Sequence, residues 1–113
     1  MSVKVKICGI TKIEDAHFLE EAAADFAGFV FHPNSSRHLS YEQAGLIEKE
    51  LHPSIKKVAL AVDPDDHLIE NMIEAIAPDY IQLHGSESPE RCSMLRQRFN
   101  CGIIKALGIG SAA

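Results

Sequence analysis

Five short apolar runs alternate with four stretches whose apolar residues recur at helical spacing, and this alternation constrains the fold of the chain more than anything else in it. The runs are Val3 to Thr11, Ala27 to Phe31, Lys57 to Val62, Asp79 to Gly85 and Gly102 to Leu107. A side-chain period of two marks strands and a period of 3.6 marks helices. The first stripe is Ala16, Phe18, Leu19, Ala22 and Ala23, and the second is Ala44, Ile47 and Leu51. The third is Leu68, Ile69, Met72, Ile73 and Ile76, and the fourth is Met94, Leu95 and Phe99. Start and stop signals agree with this division. Thr11 with Glu14, and Ser40 with Gln43, have capping-box spacing. Asp63-Pro64-Asp65 makes a turn into the third helix, and Ser88-Pro89-Glu90 opens the fourth with proline at the first helical position. Pro53 and Pro78 end the second and third helices.

The order is therefore β-α-β-α-β-α-β-α-β, which implies parallel strands joined by right-handed crossovers. Strand ends fall near Cys8, Phe31, Val62, His84 and Leu107, about 22 to 31 residues apart. Both the units of a (β/α)8 barrel and an open doubly wound sheet have that rhythm. Two features favour the barrel. The polar loops all follow strands, and the first, second and fourth strands end in candidate chemical groups. The first turn, Cys8-Gly9-Ile10-Thr11, also has only one glycine of the G-x-G-x-x-G fingerprint. The expected fold is parallel α/β, a single domain over 1–113 that supplies roughly the first four and a half βα units of a (β/α)8 TIM barrel.

Composition removes several functions. The 113 residues are 46% hydrophobic and 24% charged, which is ordinary globular material. A net charge of −5 offers no basic stripe for phosphates, so no nucleic-acid partner is expected. No apolar run approaches membrane-spanning length and the N-terminus has no apolar signal region, so no membrane partner is expected and the location reads as cytoplasmic. Cys8, Cys92 and Cys101 form no C-x-x-C pair and no metal spacing. They read as free thiols of a reducing compartment, with Cys92 and Cys101 as packing residues in and just after the fourth helix. His17, His32, His38, His52 and His67 are scattered over loops and helix surfaces, suggest no zinc site and read as solvated.

In the first strand, Val3, Val5 and Ile7 share one face while Lys4, Lys6 and Cys8 share the other. The aliphatic set is expected to pack outward under the helices, and the Lys6/Cys8 set to face what the sheet encloses. Gly9 lets the backbone turn directly after the thiol. On residues alone, Cys8 reads either as a nucleophile or base, or as a small buried hydrophobe. Arg37 reads either as an anion-binding group or as an unpartnered loop arginine. His84 reads either as a ligand-binding group or as a hydrogen-bonded histidine at the mouth of the sheet.

Lys6-Ile7-Cys8-Gly9-Ile10-Thr11, Gly28-Phe29-Val30-Phe31, the Ser36-Arg37 loop, Gln82-Leu83-His84-Gly85 and Ile104-Lys105-Ala106 occur in an order and spacing that resemble one family. The chain resembles the N-terminal half of phosphoribosylanthranilate isomerase, a (β/α)8-barrel enzyme of tryptophan biosynthesis. The Lys-Ile-Cys-Gly-Ile-Thr motif is highly specific, and the resemblance covers essentially the whole chain. It departs from the family pattern at His32, where tyrosine is common, and at Asn34-Ser35-Ser36, which replaces a lysine- and proline-containing stretch.

The resemblance implies an isomerase that carries out an Amadori rearrangement on a small-molecule phosphosugar, N-(5-phosphoribosyl)anthranilate. A general acid opens the ribose ring to a Schiff base. A general base removes the C2 proton, and the enolamine tautomerises. No cofactor and no metal are implied, because the substrate imine is the electron sink. By resemblance Cys8 is the general base, Arg37 binds the anthranilate carboxylate, and His84 binds or orients substrate. A free cysteine near pKa 8.5 is only about a few per cent thiolate at neutral pH, so the surroundings must help, with Lys6 the candidate. Lys6 and Lys105 are both expected inside the barrel, with acidic partners partly outside the chain.

The family's general acid is an aspartate after strand six, and its phosphate loops follow strands seven and eight. The chain is thus expected to be a truncated piece, inactive alone and either oligomeric or poorly folded, since two open sheet edges are an aggregation hazard. The competing readings are another phosphosugar-acting barrel enzyme, and a non-catalytic half-barrel that self-associates as an assembly unit or homo-oligomer.

Overall fold

The computed structural model describes residues 4–33 and 35–105. Val3, Asn34 and the run from Ala106 through Leu107 to Ala113 lie outside the described residues. The elements are β1 (Lys6–Cys8), α1 (Ile13–Glu21), β2 (Phe26–Val30), α2 (Tyr41–Lys49), β3 (Lys56–Ala61), α3 (Asp66–Ile76), β4 (Tyr80–Leu83), α4 (Pro89–Phe99) and β5 (Gly102–Lys105). The expected strand–helix alternation holds throughout.

Every strand pair is parallel, and the order across the sheet is β1-β2-β3-β4-β5. Each strand thus lies beside its successor. Right-handed crossovers between successive neighbours put all the helices on one face, and α1 packs beside α2 and α2 beside α3. A doubly wound sheet needs a reversal of strand order, and none occurs among the described strands.

The register sorts the strand residues into two faces. Phe29, Ala59, Ile81 and Ile103 form one row across β2 to β5. This row faces the helices and joins Leu19, Ile47, Ile69, Met72 and Leu95 in a wholly apolar core. Full burial of each large aliphatic side chain contributes about 1.5–3 kcal/mol, so these residues hold the layers together. Cys8, Gly28, Val58, Tyr80 and Gly102 form a row on the other face, followed by Val30, Leu60, Gln82 and Ile104. That second face carries the chemistry.

Local chemistry sets the helix starts. Ser40 Oγ accepts from Gln43 N at 3.1 Å while Gln43 Oε1 accepts from Ser40 N, the expected reciprocal cap. Asp65 and Ser88 cap α3 and α4 one way only, their side-chain oxygens accepting from Leu68 N and Arg91 N. At α1 the expectation fails by one residue. The N-cap is Lys12, not Thr11, and Asp15 rather than Glu14 closes the turn by accepting from both Thr11 N and Lys12 N. A single charged oxygen, Asp15 Oδ2, accepts both bonds, which fastens the N-cap and the residue before it to the first turn.

Five expected core residues lie at the surface. Phe18 is 58% exposed and Met94 47% exposed. Their neighbours Leu19 and Leu95 are fully buried, and one step along a helix rotates a side chain by about 100°. Val5, 41% exposed, precedes β1 on the sheet's edge. Ala22 and Ala23 fall past the last turn of α1 and are also exposed.

Candidate active site

Cys8 is the last residue of β1, on the face away from the helices, and it sits opposite Gly28 of β2. Gly28 has two tasks there. A Cβ at this position would lie 2.9 Å from Cys8 Sγ and 3.0 Å from Cys8 Cα, so only glycine leaves room for the thiol. Its carbonyl also accepts from Gly9 N at 3.1 Å and from Ile10 N, fastening the turn that follows the cysteine. Gly9 turns there with φ 78°, a conformation that favours glycine.

Arg37 comes from the polar loop after β2. Leu39, 2% exposed, anchors the end of that loop by donating its N–H to Val30 O at 2.9 Å. Within the loop Ser35 Oγ accepts from Arg37 N at 3.1 Å. The guanidinium lies over Gly9, where an added Cβ would strike Arg37 Cδ and approach Nη1 to 3.0 Å. Among the described residues the guanidinium makes no hydrogen bond or ion pair. A planar cation left without an acidic partner suits a carboxylate ligand.

His84 follows β4, where its N–H donates to Ala61 O at 3.0 Å. Its Nε2 is 2.8 Å from Gln82 Nε2, and the Gln82 carbonyl accepts from Lys6 Nζ. Lys6 thus lies on the Cys8 face as expected, with its ammonium directed to Gln82. Lys105 does not share that face. Its register partner is the buried Leu83, and Nζ donates to Gly85 O and, at 2.7 Å, to Glu87 Oε1. Its acidic partner is therefore within the chain. Burial alone would push the Glu87 carboxyl up. Hydrogen bonds from Lys105 and from the backbone N–H groups of Glu87 and Asp63, with the Lys105 charge, outweigh burial and hold it below its ordinary value. Asp63 in turn accepts from Ser86 N at 2.8 Å, so the loops after β3 and β4 and the end of β5 are tied together.

Cys8, Arg37 and His84 all line one open cavity of about 300 Å³ at the C-terminal ends of the strands. Val30, Leu60, Ala61 and Val62 form its apolar wall, with Gly9, Ser35 and His32 completing it. His32 is therefore not a solvated bystander, since it is half-buried in this wall. Its place directly after the apolar run of β2 was the available signal. His38 is exposed, His17 reaches Glu50 at 3.6 Å and His52 Nδ1 reaches Ser54 Oγ at 2.7 Å, all away from the cavity. Cys92 packs against the core, as does Cys101, whose thiol burial pushes up. Among the described residues no group of three or more His, Cys, Asp or Glu side chains is placed to hold a metal ion. Among the described residues no helix is long and apolar enough to cross a membrane.

Fold and site define an α/β protein whose polar chemistry gathers at the C-terminal edge of a parallel sheet, the place where α/β enzymes of several architectures act. Residues 5–112 match the family described as PRAI, N-(5'phosphoribosyl)anthranilate (PRA) isomerase. The chain is 44% identical over 107 residues to the N-(5'-phosphoribosyl)anthranilate isomerase of Parvibaculum lavamentivorans, covering 95% of this chain and 50% of that protein. It is 43% identical over 113 residues to the enzyme of the same name from Rhodopseudomonas palustris, covering 100% and 52%. It superposes on the crystal structure of phosphoribosyl anthranilate isomerase from Thermotoga maritima with a TM-score of 0.87 at 40% identity, over 94% of this chain and 51% of that one. The chain belongs to the N-(5'-phosphoribosyl)anthranilate isomerase family. It spans about half the length of the curated relatives it matches.

Proposed function

We propose that this chain is the N-terminal portion, one domain over 1–113, of a (β/α)8-barrel isomerase that rearranges N-(5-phosphoribosyl)anthranilate to 1-(2-carboxyphenylamino)-1-deoxyribulose 5-phosphate in cytoplasmic tryptophan biosynthesis. The observation that carries the reading is the meeting of Cys8, Arg37 and His84 at one cavity in a chain of this family. A solved relative, 40% identical, is described as a complex with reduced 1-(o-carboxyphenylamino)-1-deoxyribulose 5-phosphate, which supports a substrate of this class.

In this reading Arg37 pairs with the anthranilate carboxylate, and the apolar wall of Val30, Leu60 and Val62 takes the aromatic ring. Once the ribose ring opens to the Schiff base, Cys8 Sγ removes the C2 proton, and the electron pair moves toward the imine to give the enolamine. His84 orients the sugar. By the family pattern, the acid that protonates the ring oxygen and the loops that hold the phosphate belong to later strands of the barrel.

The test is Cys8→Ala in the full-length protein. Loss of a general base lowers kcat by about 10²–10⁴, with the circular dichroism spectrum unchanged; near-normal turnover removes Cys8 from the role. Arg37→Ala is expected to raise KM more than it lowers kcat, and an unchanged kcat/KM would count against the carboxylate assignment.

A further inference from the structure

We infer that Lys6 and Gln82 are positioning residues that fix the tautomer of His84, so that its ring meets the substrate as an Nδ1–H donor. The argument is one of hydrogen-bond polarity. A lysine ammonium only donates. The Gln82 atom facing Lys6 Nζ must therefore be the carbonyl oxygen, and that contact sets which way the amide points. The amide nitrogen is then turned to His84 Nε2 at 2.8 Å. An amide NH2 also only donates, so Nε2 must accept. A neutral imidazole that accepts at Nε2 carries its proton at Nδ1.

The same strand alternation that exposes Cys8 builds this relay. Lys6 lies two residues before Cys8, and Gln82 lies two before His84, so all four occupy the face away from the helices. The relay crosses the sheet from β1 to β4, beneath the cavity that Cys8 and His84 line. Lys6 is thereby assigned a task at the site other than acting on the thiol. The donor presented at Nδ1 suits an oxygen acceptor, such as a sugar hydroxyl or ring oxygen.

The donor role toward substrate rests on the proposed isomerase function, whereas the tautomer does not. The test is imidazole 15N NMR on the full-length protein without substrate. Wild type is expected to show His84 protonated at Nδ1 and unprotonated at Nε2. Gln82→Glu keeps the size and the Lys6 contact but replaces the donor facing His84 with an acceptor, so the proton moves to Nε2. Lys6→Met frees the amide to rotate and gives a mixture of tautomers. In Gln82→Glu, kcat/KM is expected to fall about 10–100-fold, the effect of losing one substrate hydrogen bond, with kcat and KM followed separately. An Nε2–H wild type, or one tautomer shared by wild type and both variants, overturns the inference. A wild type that fails to turn over the anthranilate substrate overturns the functional reading and leaves the NMR result standing.

Discussion

The two faces of the sheet are built from the same strands, one residue out of phase, and they do different work. Toward the helices, Phe29, Ala59, Ile81 and Leu83 are buried with no polar group among them. Away from the helices, the alternate residues Lys6, Cys8, Gln82 and His84 are polar and at least partly exposed. In β1 and β4, the buried packing thus lies on one side of the strand and the candidate reactive groups on the other. The two are separated by the pleat alone, so a substitution one residue along a strand changes which property suffers.

Ile81→Ala breaks the covered face. It is expected to cost about 2–5 kcal/mol, read as a lower urea midpoint, while the residual folded protein keeps its KM. A large KM change with intact stability would refute the separation. Gly28→Ala is the sharper case because it sits where the faces meet function. Its methyl must push Cys8 aside, for about 1–3 kcal/mol of strain and a fall in kcat larger than that stability loss explains. A fully active alanine variant would show that the thiol does not need the space.

The smallest effect is expected at the rim. Glu87, 4% exposed at its side chain, is paired with Lys105, and Glu87→Gln is expected to cost about 0.5–1.5 kcal/mol at neutral pH. The carboxyl is held below its ordinary value of 4.5, so its contribution is complete above that pH and is lost as pH falls through the lowered value. The stability gap between wild type and Glu87→Gln should shrink on acidification in urea titrations, and a gap that widens would reverse the assignment.

Much of this was legible in the sequence because the two periods differ so sharply. Ile81 and Leu83 against Tyr80, Gln82 and His84 is an alternation that only a strand satisfies, and its buried half is the half observed. The failures have local causes. Phe18 and Met94 border their stripes, where one helical step decides burial and no neighbour is visible in the sequence. Asp15 displaced Glu14 because capping depends on which carboxylate reaches two N–H groups. Lys105 stands on the helix side rather than inside, a parity that Ile103, two residues before it, already carries. The alternation of the fourth strand puts Gln82 on the same face as His84, but only three-dimensional proximity shows that Gln82 meets Lys6, 76 residues earlier in the chain, and so joins it to His84.

Sequential strand order also bears on how the chain is born. Because each strand pairs with the one made just before it, every new βα unit emerging from the ribosome finds its docking edge already in place. Vectorial synthesis at about 5–20 residues per second then gives each unit time to add before the next appears. The wall formed by Cys8 and Arg37 is expected to assemble before His84 is translated. Stalled nascent chains ending beyond β3 should already resist protease across β1 and β2, and chains that stay fully cleavable there would rule out assembly in that order.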